Sequence, residues 1–421
     1  MAQKRILAMA TSPLPFERRI TDGPGFRMWN VLREIGREHS VHILSLYESF
    51  HLGTPDSRVR TTDEGFQFES SPHRPAAVQR RIREIAPDIL YLPWQCCLFL
   101  GSANERIPTM VDYVGPGLLE EFVSRERIPS ELVRLFLDSF GSADLILTTT
   151  TRERYFLIGL LTASRRLSLP IFSRIDPLVT VVRMTPLSNG PVYGARPLRT
   201  RDDPLTVLLA GAFLPWYDYA PLAEAIGSLD ANLARQVKVL VLGGNPRAPH
   251  MVEQVRKALT SGKNHDCFEF IGLVPFEERL TTYHRADVAL SVGSNSVEDE
   301  LSARTRVVDY LGAGLPILSR GRDEYSSEII AAGAGFPYAS SRELADWIAR
   351  LAREPELLST ANSRTQSLLE GPFNARAAAR PILEFIDHPR LLPRASAPRE
   401  VIRNAGLWLR DLSASLRSGG R

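Results

Sequence analysis

The feature that most constrains this chain is an alternation of short apolar segments with amphipathic ones, which starts twice along its length. Residues 5–11 are apolar enough for a buried strand, and the segment after them repeats apolar residues at the helical spacing i, i+3, i+4 and i+7. Such alternation predicts parallel sheets with helices on both faces. Further predicted strands of the first half are 41–46, 89–92, 109–111 and 145–147.

The second round of alternation begins after a stretch between residues 185 and 204 that is rich in proline and glycine and lacks apolar periodicity. That composition is typical of an interdomain linker. The predicted strands that follow are 205–210, 237–242, 268–271, 288–292 and 316–319. A chain of 421 residues also exceeds what one hydrophobic core usually organises. We therefore predict an α/β protein with two doubly wound, Rossmann-like parallel-sheet domains facing a central cleft, and a C-terminal helical tail.

The predicted domain bounds follow from these signals. They are an N-terminal domain at 1–186, a linker at 187–204, a C-terminal domain at 205–370, a closing helix at 371–388 and a basic amphipathic tail at 389–421.

Composition excludes several classes of protein. The net charge of +3 comes from 51 basic and 48 acidic residues, so no nucleic-acid partner is expected. The three cysteines lack metal-ligand spacing and favour a reducing compartment. No run of 18 apolar residues is present, and prolines and charges follow the short apolar start too soon for a signal peptide. We expect a soluble, cytoplasmic protein.

In open parallel sheets, ligands bind where strands lead into helix N-termini. One such loop contains Gly23, Gly25 and Arg27, which suit a phosphate, although a loop that only turns the chain fits equally well. A second strand-to-helix loop, at residues 211–219, contains Trp216. This side chain either contacts a ligand or packs in the core. Loops such as Gly243-Gly244-Asn245 are expected to contact the base of a nucleotide.

The most specific segment is residues 296–317. An acidic stretch ending at Glu300 runs into a predicted helix with Arg304, Arg306 and Asp309, followed by a Gly-Leu-Pro turn. A carboxylate can bind two ribose hydroxyls, and arginines can hold a diphosphate. The alternative is a surface helix with salt bridges, but two flanking apolar strands place the helix beside the sheet.

This segment resembles the donor-site signature of family 4 retaining glycosyltransferases, which have the GT-B fold of two Rossmann-like domains. The sequence from Glu300 to Leu311 is similar to that of a bacterial branch of the family, which is associated with surface-glycan and natural-product biosynthesis. The resemblance extends to about residue 385. It includes the glycine loop and the stretches 111–113 with Glu120, 152–159, 216–218 and 274–279.

The resemblance implies roles for individual residues. Asp309 would bind the donor ribose, and Glu300 would lie by the transferred sugar or phosphate. Arg304, Thr305 and Gly25 would hold the diphosphate. Asp112 would lie on the acceptor side, although an isolated Asp at a strand end is more often a helix cap or a turn former.

Three departures from the signature are visible. Glu300 and Asp309 are nine residues apart instead of eight, which requires Glu300 to lie in the loop before the helix. Asp309 stands where Glu is usual. Trp216 and Asp218 stand where many relatives carry Arg and Lys. The negative charge of the diphosphate would therefore be neutralised by Arg304, Arg306 or Arg27.

The function predicted from these features is sugar transfer from a nucleotide-diphosphate donor to a hydroxyl of a glycan, lipid-linked or small-molecule acceptor. Retention, front-side attack and independence of metals and cofactors are implied by the resemblance, with Glu300, Arg304 and Asp112 as catalytic candidates. A nucleotide-sugar epimerase of the same fold and a non-catalytic sugar-nucleotide-binding protein are the alternatives.

The tail at 389–421 combines an apolar stripe through Trp408 and Leu412 with several arginines. Such a helix docks on the N-terminal domain or a partner, or lies peripherally on the inner face of an anionic membrane.

Overall fold

The computed structural model of the protein describes residues 2–16, 20–47, 58–102, 106–164, 166–167, 172–173, 178–186, 199–200, 203–245 and 248–392. The chain divides into two compact units. One contains the N-terminal strand, Thr21–Arg183 and the chain from Arg376 onward, and the other is built mainly from Met184–Ala375. The predicted linker and tail lie largely outside the described residues.

The first unit is built on an eight-stranded sheet of order β3-β4-β2-β1-β5-β6-β7-β8. All neighbours are parallel except the short pair β3 and β4. The strands are β1 (Arg5–Ala10), β2 (Ser40–Ser45), β3 (Arg60–Thr61), β4 (Gln67–Ser70), β5 (Ile89–Pro93), β6 (Thr109–Asp112), β7 (Leu145–Thr148) and β8 (Val179–Val181). The helices that cover this sheet are α1 (Gly23–Ile35), α2 (Pro75–Ile85), α3 (Gly117–Arg125), α4 (Ser130–Ser139) and α5 (Thr151–Ala163).

The second unit is built on a six-stranded, all-parallel sheet of order β11-β10-β9-β12-β13-β14. Its strands are β9 (Leu205–Ala212), β10 (Val237–Gly244), β11 (Phe268–Gly272), β12 (Val288–Ser291), β13 (Ile317–Ser319) and β14 (Gly335–Pro337). Its helices are α6 (Ala220–Ser228), α7 (Ala231–Ala234), α8 (His250–Thr260), α9 (Arg279–Tyr283), α10 (Val297–Leu301), α11 (Thr305–Gly312), α12 (Glu324–Ala331), α13 (Ser341–Arg353) and α14 (Pro355–Glu370).

The last described helix, α15 (Ala375–Asp387), packs with the first unit although it follows the second in sequence. The ammonium of Lys4 donates to the carbonyl of Ile386, and Arg376 forms an ion pair with Glu38. Beyond the helix, the backbone N–H of Leu392 donates to Asp144 at 2.7 Å. These contacts tie the end of the described chain to the N-terminal sheet.

The predicted α/β class with two parallel sheets is confirmed, and every predicted strand exists. The strands that the sequence did not reveal are β3, β4, β8 and β14, each of two to four residues. Segments so short show little periodicity, and β4 also carries a glutamate. In the described part of the chain no helix combines the length and apolarity that crossing a bilayer requires.

Candidate functional site

Glycines end two neighbouring strands at the carboxyl edge of the second sheet. Gly211 of β9 pairs in register with Gly243 of β10, and their φ angles are +115° and +151°. A Cβ on Gly243 would lie 2.0 Å from the carbonyl oxygen of Gly211, so a larger residue cannot fit without moving backbone. Gly244, the next residue, would meet the side chain of Leu273. The predicted pair Gly243-Gly244 therefore has a packing role at this edge, whatever it binds.

The aromatic loop at residues 213–219 divides its side chains between the core and the surface. Phe213 and Tyr219 are buried in the core of the second unit, so these two do not need a ligand to cover them. Trp216 and Tyr217 are half-buried, with ring centroids 6.1 Å apart. The Nε1 atom of Trp216 is buried and has no hydrogen-bond partner within the described ranges.

Arg304 lies in a buried network of charges just before α11. Its Nη2 and Nη1 atoms donate to the two carboxylate oxygens of Glu298 at 2.8 and 3.2 Å, and Nε donates to Asp299 at 3.2 Å. Nη1 also donates to the hydroxyl of Tyr217 at 2.9 Å, and Nη2 donates to Asp299. Gly293 makes room for this network, because a Cβ there would lie 2.2 Å from the Asp299 carboxylate. The structure thus gives Arg304 carboxylate partners where the resemblance implied a diphosphate.

Arg306 is also buried, with 9% of its surface exposed, but its surroundings differ. Its guanidinium lies 4.5 Å from the ring centroid of Tyr217, and Nη2 donates to the carbonyl of Ala212 at 3.2 Å. Among the described residues no carboxylate forms an ion pair with it. Burial acts to lower the pKa of Arg306, but Tyr217 and other tyrosines offset this and raise it above its ordinary value. Within the ranges that the structure describes, Arg306 is thus a buried cation without a counter-ion.

The start of α11 adds positive potential beside Arg306. Thr305 is the first residue of this helix, and no side chain caps the helix N-terminus. The hydroxyl of Thr305 faces the sulfur of Met184 at 3.5 Å. Uncapped first-turn amides and the helix dipole favour an anion at this end.

Asp309 accepts a bidentate pair of hydrogen bonds from Arg279, a residue of α9. The Nε–Oδ2 and Nη2–Oδ1 distances are 2.8 and 2.9 Å, and both residues are buried. Arg279 also donates to the carbonyl of Phe276 at 2.6 Å and stacks on that ring. This arrangement fixes the carboxylate of Asp309 and leaves lone pairs for a further donor, as a ribose hydroxyl would require.

Glu300 lies before α11, as its spacing from Asp309 requires, but in the short helix α10 and not in a loop. Its side chain is about half exposed and forms an ion pair with Arg322. The two acidic residues that precede it in the sequence are the buried ones.

In the first unit, the predicted glycine loop leads into α1 as expected, but its N-terminus already has a side-chain cap. Gly23 is the first residue of the helix, and Asp22 accepts a hydrogen bond from the N–H of Gly25 at 2.9 Å. A Cβ on Gly25 would lie 2.1 Å from the carbonyl oxygen of Pro13. The close approach that requires glycine at this position is therefore to the chain's own backbone.

Arg27 and Asp112 form a buried ion pair in this unit. Arg27 Nε donates to Asp112 at 3.1 Å, and the hydroxyl of Tyr91 donates to the same carboxylate oxygen at 2.7 Å. The Nη1 atom of Arg27 donates to the carbonyls of Val182 and Arg183. The predicted phosphate contact of Arg27 thus competes with partners inside its own unit, and Asp112 is neither a cap nor a turn former.

Both Asp112 and Gly25 line a small, mostly apolar pocket at the carboxyl edge of the first sheet. Its other lining residues are Ala10, Thr11, Ser12, Leu14, Pro24, Met28, Tyr91, Pro93 and Val114. Asp112 is the one charged residue among them.

Glu153 is a buried acid at the start of α5 that sequence reasoning did not single out. Its Oε2 atom accepts from the N–H of Thr149 at 2.8 Å and from the hydroxyl of the same residue. Its Oε1 atom is buried and has no hydrogen-bond partner in the part of the chain described. Burial raises the pKa of Glu153 from 4.5 to about 7. The capping pattern Thr150-x-x-Glu153 in the sequence could have revealed it.

The second unit gathers the predicted residues Trp216, Gly243, Thr305 and Arg306 around the ends of β9 and β10. The unpredicted members of this site are Tyr217, Arg279, Glu298 and Asp299. Among the described residues no group of three or more His, Cys, Asp or Glu side chains could hold a metal ion.

No protein-family model and no curated protein sequence matches the chain. Solved structures do match its fold. HepE of Anabaena, in a complex with UDP and glucose, has a TM-score of 0.64 and 13% identity and covers 91% of this chain and 100% of its own. Sucrose-phosphate synthase of Thermosynechococcus elongatus has a TM-score of 0.65 and 13% identity, over 91% of this chain and 98% of its own.

WaaG, a glycosyltransferase involved in lipopolysaccharide biosynthesis, has a TM-score of 0.60 and 13% identity, and covers 91% of this chain and 100% of its own. The chain therefore has the GT-B fold of these proteins. At such identity the likeness shows the fold and leaves activity to be argued from the residues.

Proposed function

We propose that the protein is a glycosyltransferase that moves a sugar from a nucleotide-diphosphate donor to an acceptor hydroxyl. The observation that carries the proposal is that Arg306, a buried cation at the sheet edge where ligands bind in this class of fold, has no carboxylate partner among the residues that the structure describes. The UDP and glucose in the HepE structure support a donor of this kind.

The charges of the second unit support a role for Arg306 as the diphosphate ligand. Arg304 is neutralised by Glu298 and Asp299, and its five N–H groups are directed at these carboxylates and at Tyr217. In the described part of the chain Arg306 has one hydrogen bond, to a backbone carbonyl. A buried charge is costly unless it is paired, and a phosphate group would supply the missing partner through strong charge-assisted bonds.

The neighbouring groups fit the rest of a donor. Amides at the start of α11 would bind phosphate oxygens, and Asp309, held by Arg279, would accept hydrogen bonds from the ribose. We propose that the guanidinium and the amides stabilise the departing diphosphate in place of a metal ion. Sugar transfer would proceed with retention, as in the family 4 enzymes that the sequence resembles, with Glu300 beside the sugar and Asp112 on the acceptor side.

Calorimetric titration with UDP, GDP, ADP and dTDP tests donor binding. We expect one of these nucleotides to bind, and Arg306→Gln to weaken that binding at least tenfold, because a charge-assisted pair contributes about 1.5–3 kcal/mol. Arg285→Gln is the matched control, since Arg285 precedes β12 at the opposite edge and pairs with Glu269. Equal binding by wild type and Arg306→Gln would refute this donor site.

Incubation with the sugar nucleotide alone separates a transferase from an epimerase. Slow release of free sugar supports a transferase, whereas an epimerised donor would contradict it. Proton NMR of the first product then reports whether the anomeric configuration is retained, and the same assay with EDTA tests the proposed independence of metal.

A further inference from the structure

Tyr217 lies between the two arginines of the site. The guanidinium carbons of Arg304 and Arg306 are 4.9 and 4.5 Å from the centroid of its ring. Its hydroxyl accepts a hydrogen bond from Arg304 at 2.9 Å. One aromatic side chain thus contacts both the neutralised arginine and the unpaired one.

The contacts of Arg304 make it an anchor for this ring. Its side chain is 4% exposed, and Glu298 and Asp299 hold the guanidinium from two directions. A group held by this many bonds in a buried position cannot turn toward a ligand without breaking buried ion pairs, which is strongly unfavourable. Its bond to the phenol oxygen therefore fixes the orientation of Tyr217.

Arg306 depends on that ring for its own position. Besides the stacking on Tyr217, it donates a hydrogen bond to the carbonyl of Ala212 and lies against Gly211, where a Cβ would be 3.3 Å from Nε. Without the ring, the long side chain of Arg306 would sample several rotamers in the free protein. Ligand binding would then have to order it, and this entropy loss would lower the affinity. The stacked ring removes part of that cost beforehand.

We infer that Tyr217 is a positioning residue that holds Arg306 ready for the donor diphosphate, with Arg304 as the buried anchor of the ring. The inference rests on the proposed function, because it assigns a role toward the same ligand. It also means that Arg304 acts on the donor through Tyr217 and makes no phosphate contact of its own.

A double-mutant cycle on nucleotide affinity tests this role. The probe is whichever of UDP, GDP, ADP and dTDP binds the wild type most tightly. We expect Tyr217→Leu to weaken binding by up to about tenfold, because the ordering of the Arg306 side chain then falls on the binding step. In the Arg306→Gln background the same substitution should change affinity by less than about twofold, because the group that it positions is gone.

Tyr217→Phe provides the conservative rescue. The ring remains for stacking but its bond to Arg304 is lost, so we expect this variant to recover part of the affinity that Tyr217→Leu loses. Trp347→Leu is the matched control, because Trp347 stacks with Arg350 elsewhere in the second unit. Thermal unfolding of each variant confirms that it is folded before titration.

Two results would overturn the inference while leaving the proposed function intact. One is unchanged affinity in Tyr217→Leu, and the other is an equal loss in both backgrounds, which would mean that Tyr217 contacts the nucleotide directly. Absence of any nucleotide binding by the wild type would overturn the proposed function and the inference together.

Discussion

Glu153 makes the stability of the first unit depend on pH. Its carboxyl group is buried beside Thr149, one oxygen has no hydrogen-bond partner in the described part of the chain, and burial raises its pKa from 4.5 to about 7. Nearby Asp112 also raises it, whereas bonds from Thr149 and the charge of Arg27 lower it. The perturbation that isolates this group is Glu153→Gln, which keeps the shape and one acceptor oxygen but cannot ionise.

The sign follows from proton binding. Between pH 4.5 and 7 the folded state holds a proton on Glu153 that the unfolded state has released, so stability falls as pH rises through this window. Each pH unit contributes about 1.4 kcal/mol. Above pH 7 the ionised side chain therefore destabilises the wild type by about 3 kcal/mol relative to low pH.

Urea denaturation of wild type and Glu153→Gln at a series of pH values from 4.5 to 8 measures the effect. The difference in unfolding free energy should shift in favour of the variant by about 3 kcal/mol across the series. Glu356→Gln, an exposed substitution on α14, controls for the loss of one carboxylate. Parallel stability curves for wild type and Glu153→Gln would show that Glu153 ionises normally and would refute the reasoning.

Further predictions concern the second unit. Arg304→Ala should lower the free energy of unfolding by about 3–5 kcal/mol, because two buried carboxylates lose their cation; chemical denaturation measures this, and a loss below 1 kcal/mol would contradict it. Asp309→Ala should destabilise similarly by removing the carboxylate that pairs with buried Arg279, and should also abolish nucleotide binding in calorimetry. Gly243→Ala should cost about 1–3 kcal/mol by the clash with Gly211, whereas Gly159→Ala, with nothing within 4 Å of its Cβ, should stabilise α5 by up to about 1 kcal/mol.

Much of the fold could be predicted because buried parallel strands are continuous apolar runs. The run at β10 is of this kind and has nearly the predicted bounds. The apolar repeat in the first half likewise forms a helix, α1. Short strands at or near the sheet edges could not be predicted, since β3 and β14 owe their conformation to a neighbouring strand more than to their own residues.

The sequence indicated several residues of the candidate site, but it did not indicate which side chains form ion pairs with one another. Arg304 and Arg306 are two residues apart, and the sequence does not distinguish which of them would bind a phosphate. Their difference arises from Glu298 and Asp299, which reach one guanidinium and not the other. Which guanidinium the two carboxylates reach depends on the path of the chain at Gly293 and in the short helix α10. The spacing of residues in the sequence does not determine that path.

The position of Gly25 illustrates the same limit in the first unit. A glycine in the first turn of a helix can make room for a ligand or for the chain itself, and the position of the Pro13 carbonyl shows that here it makes room for the chain.

The central claim is that a nucleotide diphosphate binds Arg306 at the start of α11. A crystal structure of the protein soaked with the best-binding nucleotide tests it most directly. We expect a phosphate oxygen within about 3 Å of the Arg306 guanidinium, with Arg304 still bonded to its two carboxylates. A nucleotide bound elsewhere, or one whose phosphates do not contact Arg306, would contradict it.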